Sequence, residues 1–107
     1  MTWSAITADQ SAVVNNGYLM NKASLLALTL PTTAAVGDRF KIIAMAATGW
    51  QITQSSGQQI FFGTANTVSG ATGTLTSSAL GDSVELVCSV ANNSFIVVDA
   101  IGNLTLA

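Results

Sequence analysis

The sequence predicts an all-β chain: a small antiparallel sandwich or barrel containing a duplicated hairpin unit. Three observations lead there. Apolar residues alternate with polar ones, most clearly in Arg39–Met45 and Ser83–Val90, as in strands with one buried face. Gly, Thr, Ser, Val and Asn are frequent and no three-to-four-residue apolar period is present, so helix should not exceed a turn or two. Turn-forming clusters divide the chain at short, fairly even intervals, which suits many short strands folded into a sandwich or barrel.

The expected strands follow in order. Thr2–Ile6 opens the chain, and Asn15-Asn16-Gly17 separates Ser11–Val14 from Tyr18–Met20. Leu25–Leu30 runs into Pro31, and a turn segment ending at Gly37-Asp38 leads to Arg39–Met45. Trp50–Gln54 stops at Ser55-Ser56-Gly57 and Gln58–Phe62 resumes. The glycine-rich stretch Gly63 to Gly73 leads to Gly73–Leu75, and Gly81-Asp82 introduces Ser83–Val90. Asn92-Asn93 precedes Ser94–Ala100, and Leu104–Leu106 closes the set.

Two segments echo each other. Thr29 to Asp38 corresponds to Thr74 to Asp82, one residue shorter, and each Gly-Asp is followed by an alternating strand. An aromatic-led strand comes next in both, Trp50-Gln51-Ile52 and Phe95-Ile96-Val97, giving a period of about 44–45 residues. Two copies are too few for a solenoid, which needs at least about three, so the expectation is a pair of similar hairpins sharing one core. Alternation then assigns Phe40, Ile42, Ala44, Val84, Leu86, Cys88 and Val90 to the interior. The opposite side reads Arg39, Lys41, Ile43, Met45 and Ser83, Glu85, Val87, Ser89, charged at one end and apolar at the other. A face this apolar calls for a cover, and Ile43, Met45 and Val87 are the candidate oligomer-interface residues.

Composition restricts the functional classes. Charged residues make up 7% of the 107 residues, against roughly 25% in ordinary soluble domains, and the net charge is −2. Three dispersed cations, Lys22, Arg39 and Lys41, cannot track a phosphate backbone, so no nucleic-acid partner is expected. The longest dense apolar run, Ile42 to Ala47, is far below the ~18–20 residues that span a bilayer, so no membrane insertion is expected. Met1-Thr2-Trp3-Ser4 lacks the basic start and apolar stretch of a signal peptide.

The side-chain inventory also argues against an enzyme. There is no His to serve as a base, and neither Lys22 nor Lys41 sits in a Ser/Lys arrangement. Asp38 and Asp82 are the obvious carboxylate pair for glycoside hydrolysis or a calcium site. Each follows Gly at a strand entry, however, where Asp accepts backbone hydrogen bonds in turns. Cys88 falls in phase with the interior and reads as an inert core thiol. No catalytic residue, cofactor or metal site is assigned. Ligand contact is a reading for Trp3, Trp50, Asn66 and Thr67: the aromatics could stack on sugars, and the Gly63–Gly73 stretch is either a flexible connection or a binding loop. Trp50 aligns with Phe95 in the repeat, which favours a core anchor over a sugar platform.

The punctuation of the chain resembles a known family. Asn15-Asn16-Gly17-Tyr18, Leu28-Thr29-Leu30-Pro31 to Val36-Gly37-Asp38, Gly49-Trp50-Gln51-Ile52, Gly57 to Gly63, Asp82 to Cys88 and Ile101-Gly102-Asn103 are similar to a C-terminal domain of bacteriophage tail-fibre-like and bacterial surface proteins. The length of residues 1–107 suits a single β domain, and the resemblance implies that it is the distal or C-terminal module of a longer fibre-like protein. The resemblance also implies homotrimeric assembly, location on a virion tail fibre or bacterial surface, and contact with a host surface, for which a glycan is the candidate partner. The alternative is a stand-alone lectin-like carbohydrate-binding domain.

Overall fold

Alternating side chains and positive-φ turns build twelve strands and no helix in the computed structural model, which describes residues 1–107. The strands are β1 (Thr2–Ile6), β2 (Gln10–Ser11), β3 (Asn16–Met20), β4 (Leu26–Thr29), β5 (Arg39–Ala44), β6 (Trp50–Thr53), β7 (Gln59–Phe62), β8 (Ala65–Asn66), β9 (Thr74–Thr76), β10 (Ser83–Val90), β11 (Ser94–Ile101) and β12 (Thr105–Leu106). They form a seven-stranded sheet, β1-β3-β5-β10-β11-β7-β8, and a five-stranded sheet, β12-β9-β6-β4-β2.

The expected antiparallel arrangement is corrected. β1, β3 and β5 stack in parallel in the large sheet, and β2, β4 and β6 stack in parallel in the small one. Consecutive strands therefore alternate between sheets, and the first half of the molecule is a short two-layered solenoid of three rungs. The rest closes it with the antiparallel pairs β9 on β6, β10 on β5 and β11 on β10, and with β11 running parallel to β7. Alternation marks one buried face whichever way a neighbouring strand runs, so the pattern alone could not distinguish these topologies.

The duplicated hairpin fails for the same reason. β10 and β11 are a true hairpin, whereas β5 and β6 lie in different sheets. What repeats is the arch that carries the chain from the small sheet to the large one. Gly37 and Gly81 have φ of 92° and 89°, and in each arch the following Asp N–H donates to the Ala carbonyl three residues back. The Asp carboxylate accepts from that same Ala N–H, at 3.0 Å in both Ala35–Asp38 and Ala79–Asp82. A third arch, Ser55–Gln58, uses Gly57 at φ 79° and the Gln58 Oε1 as acceptor. In a fourth, Asn15 takes φ 63° and Asn16 donates to the Val14 carbonyl. Asn16, Asp38, Gln58 and Asp82 recur every 20 to 24 residues, half the pitch read from the sequence.

Between the sheets lies the core. Phe40, Ile42, Ala44, Val84, Leu86 and Cys88 are buried as expected, and Phe40 meets Phe95 edge to face with centroids 6.2 Å apart, a preferred aromatic geometry. Val90 is the exception, 52% exposed, because the β10–β11 register shifts between Cys88 and Val90 at the hairpin end. Trp50 is fully buried and donates its indole N–H to the Asp82 carbonyl at 3.0 Å, so the largest core side chain also satisfies its one polar atom.

Candidate interaction surface

The two outer faces differ in kind. On the small sheet, Ser11, Thr29, Thr53 and Thr74 form one cross-strand row, and Ala27, Gln51, Thr76 and Thr105 another. Thr29 and Thr53 share a hydrogen bond of 3.0 Å, and Gln51 donates to Thr76 Oγ1 at 3.1 Å. Water can wet this uncharged polar face.

Apolar and charged rows alternate on the large sheet. Ala5, Leu19, Ile43, Ser83 and Ile101 are aligned across β1, β3, β5, β10 and β11. Beside them run Lys41, Glu85 and Asp99, and beyond these Arg39, Val87, Ile96 and Phe61. The charges are paired inside the chain: Arg39 Nε lies 3.7 Å from Glu85 and Lys41 Nζ 3.8 Å from Asp99. Exposed apolar side chains remain, including Ile96 (41%), Val98 (56%) and Ile101 (60%).

The expected interface residues share this face but do not make one cluster. Ile43 and Val87 are half-buried and lie in different rows, with Lys41 and Glu85 between; Met45, just beyond β5, is exposed. β11 carries most of the exposed apolar surface that sequence reasoning missed. Val98 is the extra residue of a bulge where Glu85 faces Asp99 but Leu86 faces Val97, so strict alternation could not place it.

Two of the four candidate ligand contacts are corrected. Trp50 is inaccessible in the core, and Thr67 is buried with its hydroxyl bonded to Gln54 Oε1 and the Ile60 N–H. Gln54 also donates to the Val68 and Gly70 carbonyls at 3.0 and 2.8 Å, so the Gly63–Gly73 stretch is tied down and contains β8 instead of forming a loose loop. Trp3 and Asn66 are exposed but sit on β1 and β8, the opposite edges of the large sheet, roughly 30 Å apart at the usual strand spacing. They cannot share one small ligand.

The carboxylates are likewise separated. Asp38 precedes β5 and Asp82 lies beside its other end, where the Asp82 carbonyl accepts from Ala44 N–H; the strand between them spans roughly 20 Å. A glycosidase pair requires about 5–9.5 Å, so these two are turn acceptors and do not form such a pair. Cys88 is buried, and desolvation holds its thiol above the usual range while its Sγ lies 3.2 Å from the Val90 carbonyl. One cavity, about 230 Å³, lies between the arches at Asn15 and Gly37, lined by Ser11 to Val14 and Pro31 to Thr33, with no ionisable side chain. Neither the protein-family models nor the curated protein sequences contain a match to this chain.

Proposed function

We propose that the chain is a self-associating structural module, the trimeric tip domain of a fibre-like protein that attaches to a surface. The supporting observation is the outer face of the large sheet: apolar rows from Ile43, Val87, Ile96 and Ile101, with Arg39, Lys41, Glu85 and Asp99 already paired. Such a face can be covered without leaving an unpaired charge in the contact, which is the expensive outcome at interfaces. Each large apolar side chain taken fully out of water contributes roughly 1.5–3 kcal/mol, and a closed ring repeats that gain at every contact. The number three, the virion or bacterial-surface location and the host-glycan contact rest on the resemblance to tail-fibre-like proteins.

Sedimentation equilibrium of the wild-type chain should give a trimer mass. Replacing the cross-strand neighbours Val87 and Ile96 with Lys should yield monomer or insoluble protein, because two further cations would enter each contact. An unchanged oligomer in that variant would mean that this face is solvated. A wild-type monomer at high concentration would remove the self-association reading and move the lectin reading ahead of it.

A further inference from the structure

The large sheet ends at β1, and its free edge is unusually unprotected. Natural sheets blunt their edges with Lys, Pro, bulges or very short strands. The other three edges here follow that rule: β8, β2 and β12 are two residues each, and Asp9 beside β2 is held by Lys22 at 2.8 Å and by the Ala27 N–H. These bonds hold the Asp9 carboxyl below the usual range. β1 has five residues, Thr2-Trp3-Ser4-Ala5-Ile6, in regular register with β3 and with no charge, proline or bulge.

Backbone phase defines what this edge offers. The Ile6 carbonyl accepts from Asn21 N–H at 2.8 Å. In a parallel pair alternate residues turn their N–H and C=O to the same neighbour, so Thr2, Ser4 and Ile6 face β3, while Trp3 and Ala5 turn theirs to the open side. Trp3 leaves that side clear. Its indole lies back over Gly17, its partner on β3, where any Cβ would come within 2.5 Å of the ring. Gly17 takes no left-handed φ, so the ring, and not the backbone, requires a glycine there.

We infer that β1 pairs antiparallel with β1 of a second copy about a two-fold axis through Ser4. In that register Trp3 faces Ala5 of the second copy and Ala5 faces its Trp3. Both are hydrogen-bonded pairs, so all four free backbone groups within the strand find partners. The small Ala5 side chain leaves room for the indole opposite, and the two large sheets become one continuous sheet. This contact touches the outer face only at its Ala5 margin and not at Ile43, Val87, Ile96 or Ile101, the residues assigned above to trimer formation, and it joins one trimer to another at high concentration.

Ser4 should then meet Ser4 of the second copy at a non-hydrogen-bonded position, with Cα atoms about 4.5 Å apart, within disulfide range. Ser4→Cys should cross-link into dimers on mild oxidation, with buried Cys88 not competing, whereas Ala65→Cys on β8 should not. Ala5→Pro removes an outward N–H and leaves the β1–β3 bonds in place. It should slow the Ser4→Cys cross-link and weaken β1 pairing by roughly tenfold or more, as expected for losing two of four backbone bonds. Circular dichroism verifies that both variants keep the fold. The cross-link should survive Val87→Lys/Ile96→Lys if that variant is soluble, and otherwise Ile96→Lys alone. A Ser4→Cys protein that stays uncrosslinked at high concentration would overturn the inference. So would a cross-link indifferent to Ala5→Pro, or one lost with the face substitutions.

Discussion

The arches at Ala35–Asp38 and Ala79–Asp82 are the same local object in different surroundings. Both place Gly at φ near 90°, return the Asp N–H to an Ala carbonyl and hold the Ala N–H with an Asp oxygen at 3.0 Å. Asp38 has fewer partners: one carboxylate oxygen reaches Asn15 Nδ2 at 3.4 Å, its carbonyl accepts from Cys88 N–H at 2.7 Å, and the side chain is half exposed. Asp82 is 5% exposed and also accepts from Ser78 N–H at 2.9 Å; its carbonyl takes both Ala44 N–H and the Trp50 indole, and Gly102 lies against its carboxylate. Turn chemistry fixes the conformation in both places. Burial decides how much each turn matters, because a hydrogen bond is most costly to lose where water cannot replace it.

The sharpest extension of that comparison is the arch that uses an amide. Gln58 is 2% exposed, accepts from Ser55 N–H at 2.8 Å and donates to the Pro31 and Asn92 carbonyls at 2.9 and 3.2 Å. An aspartate could make the first bond but not the other two, which tie three connecting segments at one end of the sandwich. Gln58→Leu keeps the approximate volume and strands all three groups. At about 1–3 kcal/mol for each unmet buried group, a loss of at least about 3 kcal/mol is expected in urea unfolding. A loss below about 1 kcal/mol would mean that these segments hold together without the amide.

Next comes the direct contrast. Asp82→Ala removes a buried carboxylate with two backbone donors and should cost about 2–3 kcal/mol, whereas Asp38→Ala should cost about 1 kcal/mol. Asp82→Asn keeps an acceptor and should recover much of the difference. Equal losses for the two Ala variants in thermal or urea unfolding would show that the local turn, and not its surroundings, sets the energy.

The arch residues also show how far the sequence can be read. Gly37-Asp38 and Gly81-Asp82 were visible as a repeat because the letters match. Asn16 and Gln58 occupy the same structural position with different letters, so matching letters gives twice the true pitch and hides the three-rung stack. Strand positions were legible, with Thr2–Ile6 and Ser83–Val90 matching in their bounds, because period-two alternation and glycine turns are local signals. Sheet membership is not local: Trp50–Thr53 joins the small sheet and Ser94–Ile101 the large one after equivalent arches. At the candidate surface, Ile43, Met45 and Val87 could be placed out of phase with the core. Ile96 and Phe61 could be recognised as continuing the Val87 row only once the registers of β10, β11 and β7 were known. Thr67 looked like a loop residue because its buried partner, Gln54, lies thirteen positions earlier.

The smallest expected effect is a difference close to zero. Gly37 and Gly81 share the left-handed φ, and a Cβ at either would meet nothing within 4 Å. Whatever Ala costs there must come from backbone strain alone, about 1–2 kcal/mol for an L-residue in that region. Partly offsetting this, Ala restricts the unfolded chain more than Gly does, by about 0.4–1 kcal/mol. Both terms are local and apply equally to the two arches, although Asp82 is far more buried than Asp38. Gly37→Ala and Gly81→Ala should therefore destabilise by about the same amount, within ~0.5 kcal/mol, even while Asp38→Ala and Asp82→Ala differ. A clearly larger loss for Gly81→Ala would mean that strain in that arch reaches the Asp82 network. Conformation and burial would then be coupled at this turn instead of contributing separately.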